Sequence, residues 1–216
     1  MGKKTTSGFD RARNVLAQEA ARIIVEQGIQ DYRAAKMKAA ERLGMSARGV
    51  LPGNSEIERA LGEHLQLFGR ESHTTLLRGL RRAALSAMDV LSQFGPRLVG
   101  PVLHGTAASN SAVNLHVFSD NFELVALKLQ KNRIPYRLYE RRLKSRRDQA
   151  EIFAGVRFMQ DESAIEATVF PVDGVRQAPI SPIDGKPMRR ADAQAVRGLL
   201  EEERGVVAGP GGDRRL

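Results

Sequence analysis

Leu98 to Asp120, LVGPVLHGTAASNSAVNLHVFSD, is the segment around which the rest of the chain is organised. It holds an apolar run, a loop of small residues and a second run that alternates. Leu98, Val99, Val102 and Leu103 read as a short buried strand and Val113 to Phe118 as another, while Gly105 to Ser111 is too small and polar to be core. The unit is strand, Gly/Ser-rich loop, strand.

Upstream of this unit the periodicity changes from two to 3.6. Met1 to Gly8 is a polar, basic arm expected to be disordered. From Phe9 or Asp10 to Gln27, Leu16, Ala20, Ile23 and Ile24 recur at helical spacing, and Gly28 is the stop. A second helix is capped by Asp31 and closed by Gly44. Met45 to Gly53 is a loop, after which Ser55 and Glu58 have the spacing of a capping box for a third helix that runs to Gly69. A fourth, from about Ser72 to Phe94, carries Leu77, Leu80, Ala84, Met88 and Leu91 on one side, with Arg78, Arg81 and Arg82 as a basic patch beside them. Four helices on short connections predict a bundle-like unit over 9–95, bounded at Gly95-Pro96.

Downstream the reading is a mixed α/β pattern over 96–204. A helix from Asn121 to Asn132, with Asp120 as its cap, leads to a strand from Ile134 to Leu143. Strands Glu151 to Gln160 and Ala164 to Val172 then flank an Asp161-Glu162-Ser163 turn, which predicts an antiparallel hairpin. Alternation in the second places Glu166, Thr168 and Phe170 on one face. Val175 to Arg190 is a Pro/Gly-rich connector able to pack across the sheet, Asp192 caps a last helix to about Arg204, and 205–216 is an expected disordered tail. The class is α+β, an N-terminal helical bundle followed by a small mixed-sheet domain.

Composition narrows the partners. The formal charge is +9 and there is no cysteine, so disulfide stapling and thiolate metal sites are excluded and a cytoplasmic setting is expected. No apolar run reaches the length of roughly 18 residues that a membrane span needs, so no membrane partner is expected. The charge concentrates between Lys128 and Arg147, with nine Lys or Arg against the single acid Glu140. Tyr136 and Tyr139 interleave with these cations, and on a strand Arg137, Tyr139 and Arg141 share a face that could track a phosphate chain, with Arg142 and Lys144 beside them. The plainer reading is a charged edge strand that prevents sheet-to-sheet association. Among the four histidines there is no HExxH spacing, and although His104 and His116 bracket Ser109 and Ser111, GxSxG is absent.

Gly100-Pro101, then twelve residues, then Asn114-Leu115-His116 resembles the signature of the nucleotidyltransferase superfamily, over about a third of the chain through Phe170. In that family Gly-Ser or Gly-Gly ends one strand, holding a triphosphate, and an acid-x-acid pair on the next strand holds divalent magnesium. The resemblance implies Gly100, Gly105, Thr106 and Ser109 as the phosphate loop, and Asn114, His116 and Glu166 at the catalytic positions, with His116 a metal ligand if any metal is held. This chain has Pro101 where the family has Ser or Gly, and Asn114 and His116 where it has its two carboxylates, so roughly two negative charges are missing from a site for a hard dication. The expectation is a divergent member, a pseudoenzyme that binds a nucleotide or RNA (RNA ahead of DNA) without two-metal catalysis. One alternative is an active enzyme using magnesium or manganese at an unusual site. Another is a non-catalytic module that meets a protein partner through its helical domain.

Overall fold

The computed structural model describes residues 4–29, 31–46, 51–68, 70–146 and 149–207. Four helices come first: α1 (Lys4–Gln27), α2 (Tyr32–Arg42), α3 (Asn54–Phe68) and α4 (Arg70–Val90). A 3-10 turn at Ser92–Phe94 follows, and then β1 (Arg97–Val99), α5 (Pro101–His104), β2 (Val113–Phe118) and α6 (Phe122–Lys131). Three longer strands, β3 (Tyr136–Arg146), β4 (Gln149–Gln160) and β5 (Ser163–Phe170), lead to the last helix, α7 (Ala193–Val207). The chain is α+β. Among the described residues no helix is long and apolar enough to cross a membrane.

The sheet has five strands in the order β1-β2-β5-β4-β3. β2 and β5 run parallel, with Asn114 opposite Glu166 and His116 opposite Thr168, and the other pairs are antiparallel. Because strand side chains alternate, this register sorts the sheet into two unlike faces. Leu115, Val117, Ile165, Ala167 and Val156 on one face are buried together with Leu77, Leu80 and Met88 of α4, Leu91 just after it, Val125 and Leu129 of α6 and Val196 of α7. The opposite face carries Asn114, His116, Glu166 and Thr168. The expected hairpin forms with Asp161 at φ 47° and Glu162 at φ 62°, the two left-handed residues that a two-residue turn of type I′ requires.

A second hydrophobic cluster lies wholly in the first three helices, formed by Leu16, Ala20 and Ile23 of α1, Ala35 and Ala39 of α2, and Ile57 and Leu61 of α3. The fourth helix therefore does not join the first three in one core. Its apolar stripe packs on the sheet, because a stripe specifies burial without specifying a partner. Arg81, read as part of a basic patch beside the stripe, is buried within this arrangement; it donates from Nε to the Val102 carbonyl at 3.2 Å and pairs with Glu203 of α7.

Several local expectations are corrected. Lys4 to Gly8 continues α1 instead of forming an arm, and α7 extends to Val207; residues 1–3 and 208–216 of the expected arm and tail lie outside the described residues. The strand expected through Leu103 stops at Val99. Gly100, at φ 73° and ψ −154°, adopts a backbone conformation essentially restricted to glycine, and Pro101 opens α5 at a position where its missing N–H costs nothing. The capping box of α3 is shifted: Gly53 N–H donates to Glu56 Oε2 at 2.6 Å, and Arg13 Nη2 approaches the same oxygen at 2.6 Å. The Gly53 bond, and then Arg13, hold the Glu56 carboxyl below its ordinary value. Glu58 is thereby released from capping. Asn121, one residue after the expected Asp120, caps α6 by accepting from Glu123 N–H at 2.9 Å, while Asp120 accepts from Val172 N–H.

Candidate functional site

A cavity of about 360 Å³ lies between the helical unit and the polar face of the sheet. Gly100, Thr106, Asn114, His116, Arg141 and Arg142 all border it, so six of the residues singled out from the sequence converge. The connector forms another wall with Ser181, Ile183 and Arg189. That connector is compact, as expected: Ser181 N–H donates to the Lys186 carbonyl at 2.7 Å and Ile180 N–H to the Lys144 carbonyl at 2.7 Å, which ties it to the end of β3.

Arg141 organises the sheet side. Its Nη1 donates to Asn114 Oδ1 at 2.7 Å and its Nη2 to Glu166 Oε2, while Arg157 approaches the other Glu166 oxygen at 3.6 Å. Glu166 is thus met by two guanidinium groups, and the cluster of Arg141, Arg157 and Glu166 keeps one net positive charge. Two bonds occupy two of the five N–H donors of Arg141, which leaves the rest of its fork for another acceptor. The guanidinium also stands 5.5 Å from the centre of the Tyr139 ring. Tyr139 lies flat across Gly155, where a Cβ would sit 2.4 Å from the ring, and its hydroxyl is 2.7 Å from Thr168 Oγ1. Burial raises the Tyr139 pKa, so the phenol stays protonated and supports Arg141 without charge of its own.

His116 is buried to 1% exposure and packs on Phe170 with ring centres 4.4 Å apart. Burial, then the charges of Arg190 and Arg141, pushes its pKa down to about 3. The ring is neutral at ordinary pH, and its Nδ1 accepts from Arg190 Nε at 3.1 Å. Arg190 also donates from Nη1 to the Gly174 carbonyl at 2.8 Å and lies 5.0 Å from the Phe118 ring centre. His116 therefore anchors the connector through Arg190.

The helical side has a different character. Tyr32 Oη and Thr106 Oγ1 both donate to Glu58, the latter at 2.6 Å, and Asn110 Nδ2 donates to the Gly28 carbonyl at 2.8 Å. Desolvation raises the Tyr32 pKa, followed by the negative charge of Glu58, so this phenol too remains a donor. His104, half-buried at the cavity edge, has its pKa lowered by burial.

No known protein family model matches the chain, and no curated protein matches it.

Not all expected residues converge. Gly105 faces Arg81 and Leu77 and borders a separate cavity with His73, and Ser109 is exposed beside a third, lined by His64 and Leu76. Arg137 and Lys144 are exposed on β3, which is an edge strand. The donor set suits magnesium or manganese poorly. Asn114 Oδ1 and both Glu166 oxygens already face guanidinium groups, and His116 is a neutral nitrogen donor whose Nδ1 is engaged, whereas hard dications select anionic oxygen. Among the described residues no group of three His, Cys, Asp or Glu is clustered for a metal. Sequence reasoning missed Glu58, Tyr32, Arg157, Arg189 and Arg190. Only Glu58 gave a signal, a spacing that suggested a cap instead.

The charged groups on the lining are the guanidiniums of Arg141, Arg142 and Arg189 against the carboxylate of Glu58. Such a cavity favours an oxyanion, and the planar arginine fork suits phosphate.

Proposed function

We propose that the protein binds a nucleotide in this cavity, holding its phosphates with arginine side chains, and that it is a nucleotidyltransferase-like protein without two-metal catalysis. The observation that carries the reading is the Arg141 fork, fixed across Asn114 and Glu166 beside Gly100 and open to the cavity. A guanidinium held there supplies the positive charge that a hard dication would otherwise bring to a phosphate. Gly100 borders the same cavity, at a φ of 73° that residues with a side chain rarely adopt. A cytoplasmic setting, where nucleotides are abundant, belongs to the same proposal.

Isothermal titration of the four ribonucleoside triphosphates, in EDTA and again with magnesium or manganese, tests this. Saturable binding in EDTA, changed little by metal, is the expected result. Binding that depends on metal, accompanied by transfer of a nucleotidyl group to an acceptor, would replace the proposal with the active-enzyme reading. Absence of binding under both conditions would reject a triphosphate ligand.

A second reading is favoured by one observation: β3 is an edge strand with Arg137, Arg142 and Lys144 exposed along it. An RNA strand following that edge would bind through displaced counterions, so its affinity would fall steeply with salt. Titration of a short single-stranded RNA at two salt concentrations separates the two readings, because cavity binding of a mononucleotide would persist in an Arg137→Ala/Lys144→Ala variant and edge binding of RNA would not.

A further inference from the structure

The cavity lining is sorted by chemistry from end to end. At the sheet end stands Arg141, the connector wall adds Arg189, and at the helical end stand Ile24, Ile29, Tyr32, Leu61 and Glu58. An oxyanion at the helical end would meet the Glu58 carboxylate, so the anionic part of any ligand belongs at the arginines. Glu58 accepts from Tyr32 and Thr106, yet a carboxylate offers about four acceptor positions, which leaves capacity for donors on a ligand. The helical unit also lines the cavity with the apolar side chains of Ile24, Ile29 and Leu61.

Resting on the proposal that nucleotide phosphates bind at Arg141, we infer that the helical unit forms the nucleoside pocket: Glu58 accepts from hydroxyl or amino donors of the nucleoside, and Ile24, Ile29 and Leu61 pack against its apolar surface. The ligand class is a ribonucleoside polyphosphate rather than a bare polyphosphate. The helical unit and the sheet have separate hydrophobic cores. Between them, polar bonds such as Thr106 to Glu58, Asn110 to the Gly28 carbonyl and Asn54 to the Pro182 carbonyl at 2.7 Å join the cavity's walls. A ligand spanning both ends would add apolar contact across this junction and draw the two units together.

The test compares sodium tripolyphosphate with ATP, GTP, CTP and UTP by isothermal titration in EDTA, on wild type, Glu58→Gln and Ile29→Ser. Glu58→Gln keeps one acceptor oxygen for Tyr32 or Thr106, and Ile29 is a half-buried residue between helices, so the second variant preserves the test should the first melt early. At least one nucleoside triphosphate is expected to bind wild type ten-fold or more tightly than tripolyphosphate, and in each folded variant that ratio falls to within about three-fold. Equal affinity of tripolyphosphate and all four nucleotides for wild type would overturn the nucleoside pocket while leaving the phosphate site standing. A wild-type preference unchanged in both variants would place the nucleoside elsewhere and also overturn it. Failure of every probe to bind would remove the nucleotide proposal itself, and the pocket with it.

Discussion

The two faces of the sheet use the same strands for opposite purposes. Along β2, Val113, Leu115 and Val117 are buried against α4 and its neighbours, while Asn114 and His116 between them meet Arg141 and Arg190. Along β5, Ile165 and Ala167 join the core and Glu166 and Thr168 join the polar network. One face supplies the free energy of folding through apolar burial, on the order of 25 cal/mol per Å². The other holds charges whose mutual bonds mainly offset the cost of desolvating them. Substitutions should therefore divide by parity along the middle of each strand: the odd positions on β2 and β5 govern stability, and the polar even positions, Asn114, His116, Glu166 and Thr168, govern binding and the response to pH.

The largest effect is expected from the core face. Leu115→Ala removes a fully buried side chain from the middle of the sheet and should cost about 2–5 kcal/mol in urea unfolding. A cost below 1 kcal/mol would mean that the face packed on α4 is not what holds the strands, and the division by parity would break.

The polar face should show itself through pH. The unfolded His116 titrates near 6.5, whereas in the fold burial and its arginine neighbours hold it near 3. Between these values the unfolded state binds the proton more readily, so stability is present above about pH 6.5 and declines as pH falls toward 3. His116→Gln keeps a side-chain acceptor for Arg190 and cannot titrate. Relative to this variant, wild type should lose about 2 kcal/mol of stability between pH 7 and pH 5. Parallel melting curves for the two proteins over that range would show that the imidazole is not held neutral in the fold.

The sequence made much of one face legible and little of the other's connections. Alternation in VNLHVF and AIEATVF identified both strands and put Glu166 and Thr168 on a common face, because a period of two is a local property. It could not reveal that Arg141 joins Asn114 and Glu166, partners separated by 27 and 25 residues, nor that Arg190 reaches His116 across 74. Such pairings depend on strand order, which no local pattern encodes. The misassignments have similar causes. The apolar stripe of α4 marked a buried helix without distinguishing the sheet from the other helices. The Ser55–Glu58 spacing matched a capping box that Gly53 and Glu56 form instead, which concealed Glu58 at the cavity. Within the basic run of β3, alternation separated Arg137, Tyr139 and Arg141 from Arg142 and Lys144, but only the register shows Arg141 turned into the network while Arg137 and Lys144 remain exposed.

In the proposed mode of binding a fixed guanidinium, Arg141, is the anion-binding group of the cavity. The test replaces the pair together, Arg141→Gln with Glu166→Gln, so that neither of its charges is left behind alone, while Arg157, with its side chain 57% exposed, remains hydrated. Removing both members of an ion pair changes stability far less than removing one, so the double variant should melt close to wild type. Titrated in EDTA with the tightest-binding ribonucleoside triphosphate, it should bind at least ten-fold more weakly than wild type, about 1.4 kcal/mol. Wild-type affinity in a folded double variant would rule out Arg141 and assign the anion to other cations of the chain.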